Sequence, residues 1–282
     1  MNEQFFIFNN KFYVNDSPVV TAGNRGLRYG DGLFETMKHM SGKIINQDFH
    51  FERLFSGLAL LQFGIPKTFT KDFILKKIDE LCAKNSHDNV ARIRLMVFRG
   101  NGGIFDPQDS FPNYIIESWK LAKENELNEN GLIVDIFPYA KKSCDSFSNV
   151  KSNNYLPYVM AGLYAKQNNF NDCILLNSFE RICDSAVANI FIVKGKNIYT
   201  PPLSEGCVSG VMRRWMLEKF NLESFSVIEK ILTVDDLSDA DEFFLTNSIY
   251  NIRWVKSFGD KTHYGNSAIK KIYNHIIQTI LE

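Results

Sequence analysis

Four features of this chain have the residue types and settings to do chemistry: Lys151, Asp184, Arg53 and a helix start at Gly210. Lys151 stands among small polar residues in SNVKSNNYL, 148–156. Directly after it, Leu156, Val159, Met160 and Leu163 follow the i, i+3, i+4, i+7 spacing that predicts a helix with this face buried. A helix start carries partial positive charge, which disfavours an ammonium beside it and lowers its pKa. The neutral amine is the form that attacks a carbonyl to make a Schiff base.

In TPPLSEGCVSGVMRRWMLEKF, 200–220, Gly210 opens a helical pattern with Met212, Trp215, Met216 and Phe220 on one face. Free N–H groups at such a start hold an anion, typically phosphate. Arg53 lies beside the apolar face Phe51, Leu54, Phe55, Leu58 and Leu61 of another helical pattern, where a guanidinium could grip phosphate through two parallel hydrogen bonds. Asp184 is a carboxylate between an apolar strand-like stretch and the small residues Ser185, Ala186 and Ala188. Each feature also has a plainer use. Lys151 can be a solvated loop lysine, Ser209 and Gly210 can cap a helix, Asp184 can accept turn hydrogen bonds, and Arg53 can snorkel to solvent.

The elements that must position these residues alternate between strand and helix. FFIFN (5–9), KFYVN (11–15), LFETMKHM (33–40), ARIRLMVF (91–98) and NYIIESW (113–119) are strand-like, with helical patterns at about 49–63 and 71–84. KLAKENELNENG, 120–131, is charged, Asn-rich and free of aromatics, and marks a connector. After it, LIVDIFPY, CILLNS, NIFIVKGKNIYT and DEFFLTNS alternate with helical patterns at 154–166, 210–220 and 266–281. The prediction is an α+β protein with a small N-terminal α/β domain over 1–120, a connector over 121–130 and a larger C-terminal domain over 131–282.

Composition narrows the partner. Lys plus Arg equals Asp plus Glu at 32 each in 282 residues, so no net field draws the chain to nucleic acid or an anionic membrane, and a small molecule is expected. Five widely spaced cysteines without a C-x-x-C pair or a nearby His cluster argue against a disulfide framework and a zinc site, so no metal is expected and a reducing cytoplasm fits. The N-terminus lacks a basic region followed by a long apolar run, and no stretch of about 18 apolar residues occurs, so neither a signal peptide nor a membrane span is expected.

The order Arg53, Lys151, Asp184, Gly210-Val211-Met212 resembles the fold-type IV, or class IV, aminotransferase family of pyridoxal-phosphate enzymes. The resemblance covers nearly the whole chain: NRGLRYGDGLFETM at 24–37, HFERL, RGNGG at 99–103, the lysine, ANIFIVKGKNIYTPPLSEGCVSGVMR, and ADEFFLTNS at 240–248. It implies a D-amino acid aminotransferase-like fold of two α/β domains with pyridoxal 5′-phosphate at their interface, and a homodimer, for which an exposed apolar rim around Ile104, Phe105 and Phe111 would be consistent. By this resemblance Lys151 binds the cofactor and moves the proton, Arg53 and the Val211–Met212 backbone at Gly210 bind its phosphate, Ser248 adds a hydroxyl, and Tyr155 lies near its phenolic oxygen. A carboxylate holds the ring nitrogen protonated. The family has glutamate there; this chain has Asp184, which serves if the backbone moves closer or the ring sits deeper.

Within the family, RGNGG, the A-N-I-F run, GVMR with methionine where transaminases have threonine, and the Thr246-Asn247 pair resemble the aminodeoxychorismate lyase branch. That branch eliminates pyruvate to leave 4-aminobenzoate, a folate precursor. Arg94 and Arg99 are then clamps for the substrate's carboxylates, Asn247 a neutral donor, and Thr36 a hydroxyl near the cofactor. A branched-chain or D-amino acid aminotransferase is the alternative: Glu35, Tyr155 and Arg94 lean towards the branched-chain members, while GNGGIFDP after Arg99 lacks the Arg-x-His pair of the D-amino acid branch. A third reading, a protein of this fold that binds a metabolite without turnover, rests on the aspartate alone.

Overall fold

Two-residue alternation in the strands around Thr36 and Arg94 builds the middle of the first sheet. The computed structural model describes residues 4–87, 89–122, 126–259 and 262–281. Two units divide the chain: Met1–Lys123 with Lys151–Asn154, and Glu124–Val150 with Tyr155–Glu282. Of the connector, residues 123–125 lie outside the described residues.

In the first unit the order is β1 (Phe5–Phe8), β2 (Lys11–Val14), α1 (Arg25–Tyr29), β3 (Gly32–Met40), β4 (Lys43–Ile44), α2 (Gln47–Leu60), α3 (Lys71–Lys84), β5 (Val90–Phe98) and β6 (Asn113–Lys120). The strands pair antiparallel in the order β2-β1-β6-β5-β3-β4. Alternate side chains point to opposite faces. Met37, Ile93, Leu95 and Ile116 are fully buried together with Leu54 and Leu58 of α2 and Ile74, Ile78 and Leu81 of α3, so this is the helix-covered face. The opposite face carries Phe34, Thr36, Lys38, Arg92, Arg94 and Glu117. Helix α3 starts at Thr70, whose side chain accepts the Phe73 N–H, a cap worth about 1 kcal/mol.

The second unit comprises β7 (Leu132–Ile136), α4 (Leu156–Gln167), β8 (Asp172–Leu176), β9 (Ile182–Ser185), β10 (Asn189–Lys194), β11 (Asn197–Thr200), α5 (Val211–Glu218), β12 (Ser226–Glu229), α6 (Val234–Ser238), β13 (Glu242–Asn247), β14 (Asn251–Phe258), β15 (Thr262–His263) and α7 (Ser267–Leu281). Among the described residues its strands form one mixed sheet in the order β12-β11-β10-β13-β14-β7-β8-β9, with β15 on β14. One core gathers Val134, Ile174, Ile190, Phe243, Leu245 and Val255; a second gathers Tyr158, Ala161, Ala165, Cys173, Leu175 and Ala186 between α4 and the sheet.

Helix α4 corrects one expectation. Leu156, Val159, Met160 and Leu163, predicted to be its buried face, are all exposed, Leu156 at 69%. Tyr158, Ala161 and Ala165 face inward instead. Small residues let the helix approach the sheet closely, so the large apolar side chains that the spacing singles out lie on the opposite side. No helix among the described residues is long and apolar enough to cross a membrane.

Candidate active site

The first unit positions Lys151 by backbone pairing. Its carbonyl accepts the Phe34 N–H at 2.9 Å, Ser152 bridges to Leu33, and the Asn153 N–H donates to the Gly32 carbonyl at 2.9 Å, so residues 151–153 lie antiparallel along the start of β3. Gly32 is required here: a Cβ would overlap the Val97 carbonyl. The Lys151 ammonium therefore sits 4.4 Å from the centre of the Phe34 ring, and the Arg94 guanidinium lies 4.8 Å from the same ring. Thr36 is the cross-strand partner of Arg94. Two cations and a hydroxyl thus share one face of the sheet, an arrangement suited to a carboxylate-bearing substrate.

On the helix-covered face, Arg53 Nε and Nη2 donate to the two oxygens of Glu35 at 2.7 and 2.6 Å, and His50 Nδ1 donates to Glu35 Oε2 at 2.6 Å. Burial opposes ionisation of Glu35, but the Arg53 guanidinium and His50 outweigh it and bring the carboxyl down to about 2. Burial lowers the His50 pKa against the pull of Glu35, so the imidazole is neutral at pH 7; with its proton on Nδ1 towards Glu35, Nε2 is an acceptor that is buried without a hydrogen-bond donor. The ion pair is Glu35–Arg53, and His50 adds a neutral hydrogen bond. These bonds fix the plane of the Arg53 guanidinium. Arg99 donates to Asp31 at 2.6 Å and to the Leu61 carbonyl, and stacks on Phe63 at 4.3 Å. Arg25 holds the other oxygen of Asp31 at 2.7 Å. Arg99 accordingly has a structural use in holding the turn at Asp31, next to any role towards substrate.

In the second unit Asp184 is buried on β9. Its Oδ2 accepts from the Tyr158 hydroxyl at 2.8 Å and the Val208 N–H at 2.9 Å, and its Oδ1 accepts from Asn189 Nδ2 at 3.0 Å. Asn189 Nδ2 also reaches the Val208 carbonyl at 2.9 Å, tying β10 to the turn before α5. Asn149 Nδ2 secures the same turn through the Leu203 and Cys207 carbonyls at 2.9 and 2.6 Å. Asp172 accepts the Cys173 and Ala186 N–H groups at 2.7 and 3.0 Å, which pins the chain just beyond Asp184; burial pushes its carboxyl up to about 6.

Helix α5 begins at Gly210 without a side-chain cap and with no acidic residue in its first turn. A Cβ at Gly210 would overlap Asn189 Oδ1, so the position has room for glycine only. A helix start is electropositive. Tyr155, the N-cap of α4, stacks on Tyr158 with ring centres 4.3 Å apart. Asn247 closes the turn between β13 and β14, its Oδ1 accepting the Ile249 and Tyr250 N–H groups at 2.9 and 3.2 Å while Nδ2 reaches the Val187 carbonyl. Ser248 follows it, half-buried.

The structure thus brings Lys151 together with Phe34 and Arg94, and Asp184 together with the turn that leads into Gly210. Sequence reasoning missed His50, Tyr158, Asn149 and Asp172. Two of them had a signal: His50 precedes Arg53 by three positions and Tyr158 follows Tyr155 by three, each on the same helix face. Among the described residues no cluster of three or more His, Cys, Asp or Glu could hold a metal ion.

Residues 32–258 match the family described as amino-transferase class IV. An aminodeoxychorismate lyase of Vibrio harveyi is 30% identical over 86% of this chain and 89% of its own length. A Methanocaldococcus jannaschii protein bearing a branched-chain-amino-acid aminotransferase name is likewise 30% identical, over 86% of this chain and 84% of its own. The crystal structure of a branched-chain aminotransferase from Thermoproteus uzoniensis superposes with a TM-score of 0.88 at 20% identity, covering 99% of this chain and 95% of that one. The residues fit a phosphate-bearing cofactor with a basic ring nitrogen: an uncapped, electropositive helix start that admits only glycine, and a buried carboxylate fixed by three donors.

Proposed function

We propose that this chain, which belongs to the class IV aminotransferase family, is a pyridoxal-phosphate-dependent 4-amino-4-deoxychorismate lyase that eliminates pyruvate and leaves 4-aminobenzoate for folate biosynthesis. The observation that supports the cofactor-dependent reading is the sheet face on which Lys151 and Arg94 flank Phe34, with Thr36 opposite Arg94; the preference for the lyase rests on RGNGG, GVMR and the Thr246-Asn247 pair, with the Vibrio harveyi relative in support. When bound, the cofactor supplies an electron sink. Lys151 is the amine that takes up the cofactor and afterwards carries a single proton, since the aromatic product forms once the enolpyruvyl group has left. Arg53 and the Val211–Met212 N–H groups bind the phosphate, with Ser248 adding a hydroxyl. Asp184 keeps a proton on the ring nitrogen, and Tyr155 lies against the cofactor. Arg94 takes a substrate carboxylate, with Arg99 and Asn247 as further donors and Thr36 as a hydroxyl near the cofactor.

A transaminase is the second reading, favoured by the buried Glu35 and by the M. jannaschii relative at equal identity. The two separate on one requirement. Supplied with 4-amino-4-deoxychorismate and no keto acid, the enzyme is expected to release pyruvate, measured by lactate dehydrogenase coupling. Turnover seen only with an amino acid and a keto acid together would establish the transaminase instead.

The partner we propose is a second copy of this chain. Ile104, Phe105 and Phe111 of the first unit are exposed, Phe105 at 91%, as is the apolar stripe of α4 in the second. Burying such side chains stabilises association by about 1.5–3 kcal/mol each. Sedimentation of the wild type is expected to give a dimer that Val159→Asp with Leu163→Asp converts to monomer; a monomeric wild type would refute the pairing. All five cysteines are free, which fits a reducing cytoplasm.

A further inference from the structure

The buried Asp184 carboxylate accepts from the Tyr158 hydroxyl, Asn189 Nδ2 and the Val208 N–H. We propose that Tyr158 is a positioning residue for Asp184: its hydroxyl anchors the carboxylate, so that an aspartate can hold the ring nitrogen of pyridoxal phosphate where the family uses glutamate. This rests on the pyridoxal-phosphate reading above.

Ala161 and Ala165 bring α4 close to the sheet, and that approach lets the Tyr158 hydroxyl, buried on the same helix face, reach Asp184 Oδ2 directly at 2.8 Å. The Tyr158 ring is fixed on one side by stacking on Tyr155. The Lys142 ammonium lies 4.7 Å from its centre. Burial and the adjacent Asp184 charge drive the phenol's ionisation well above its ordinary range, so the hydroxyl stays protonated and remains a donor throughout the working pH range. With Asn189 on Oδ1 and the Val208 N–H sharing Oδ2, the plane of the carboxylate is set from two sides.

A glutamate at 184 would carry its carboxylate about 1.5 Å further from the backbone. The Tyr158 oxygen already stands at hydrogen-bond distance from the shorter acid, so the longer one would collide with it or leave it buried and unpaired, which is costly. Tyrosine at 158 and aspartate at 184 are therefore a matched pair.

The test is a double-mutant cycle of Tyr158→Phe and Asp184→Glu, read by the dissociation constant of pyridoxal phosphate and by the pH at which the absorption of the bound cofactor changes. Tyr158→Phe is expected to lower that pH, because a less firmly held carboxylate stabilises the protonated ring less. Asp184→Glu alone is expected to weaken binding about tenfold, and adding Tyr158→Phe to restore it to within about threefold, a reversal that coupled neighbours produce and independent sites do not. Additive losses, or an unchanged spectral pH profile in Tyr158→Phe, would overturn the pairing. Circular dichroism and melting of each apo-protein check folding. If Tyr158→Phe does not fold, the Asp184→Glu arm decides, and wild-type affinity there overturns the proposal. A wild type that fails to bind pyridoxal phosphate would instead sink the functional reading itself.

Discussion

Lys151→Ala is expected to abolish the visible absorption of protein incubated with pyridoxal phosphate and to cut turnover by roughly 10⁴-fold or more, since acid–base transfer alone contributes about 10² to 10⁴. The loss should not come from unfolding. What ties this segment to β3 is main chain: the Lys151 carbonyl bonded to the Phe34 N–H, the Leu33–Ser152 bridge and the Asn153–Gly32 bond all survive the substitution. The ammonium itself contributes a contact with the Phe34 ring, worth about 0.5–2 kcal/mol. Absorption spectra and circular dichroism on the same sample separate the two effects. A variant that keeps the visible band would place the reactive amine elsewhere and remove the basis of both the lyase and the transaminase readings.

The lysine was legible because its surroundings break a local rule: a cation among small polar residues ahead of a helical pattern is a conflict that a solvated loop does not need. The structure gives that conflict a different cause. Lys151 lies four residues before the α4 cap at Tyr155 and is held by β3, so strand pairing places it. The sheet strands were equally legible, since one buried face imposes a two-residue period on LFETMKHM and ARIRLMVF. The face of α4 was not. Periodicity reports where the large apolar residues lie and is silent on which side approaches the sheet; Ala161 and Ala165 carry too little hydrophobicity to mark the close-packed side. The Asp184 surroundings were hidden for another reason. Tyr158, Asn189 and the Val208 N–H are 26, 5 and 24 positions away in sequence and meet only through sheet order and a turn.

The other large effect concerns Glu35, buried on β3 and bonded to Arg53 and His50. Glu35→Gln is expected to destabilise the protein by about 3 kcal/mol at pH 7, because it removes the buried carboxylate charge that pairs with the Arg53 guanidinium. The pH dependence carries the same information. The carboxyl stands at about 2 in the folded protein against an ordinary 4.5, so the unfolded chain binds the extra proton as pH falls through that window. Stability from this pair is therefore fully present above about pH 4.5 and is lost as pH drops towards 2, by an amount on the order of 3 kcal/mol. His50 works in the same direction: burial lowers its pKa from the ordinary 6.5, so the unfolded chain also binds that proton as pH falls below about 6.5 and further stability is lost. Melting curves of wild type and Glu35→Gln should differ at pH 7 and converge at low pH. A gap that persists unchanged to pH 3 would mean that Glu35 acts through packing and not through its charge. Arg53 is the bridge from this stability term to function: with its plane no longer fixed by two bonds from Nε and Nη2, phosphate affinity should fall in the same variant even under conditions where it remains folded.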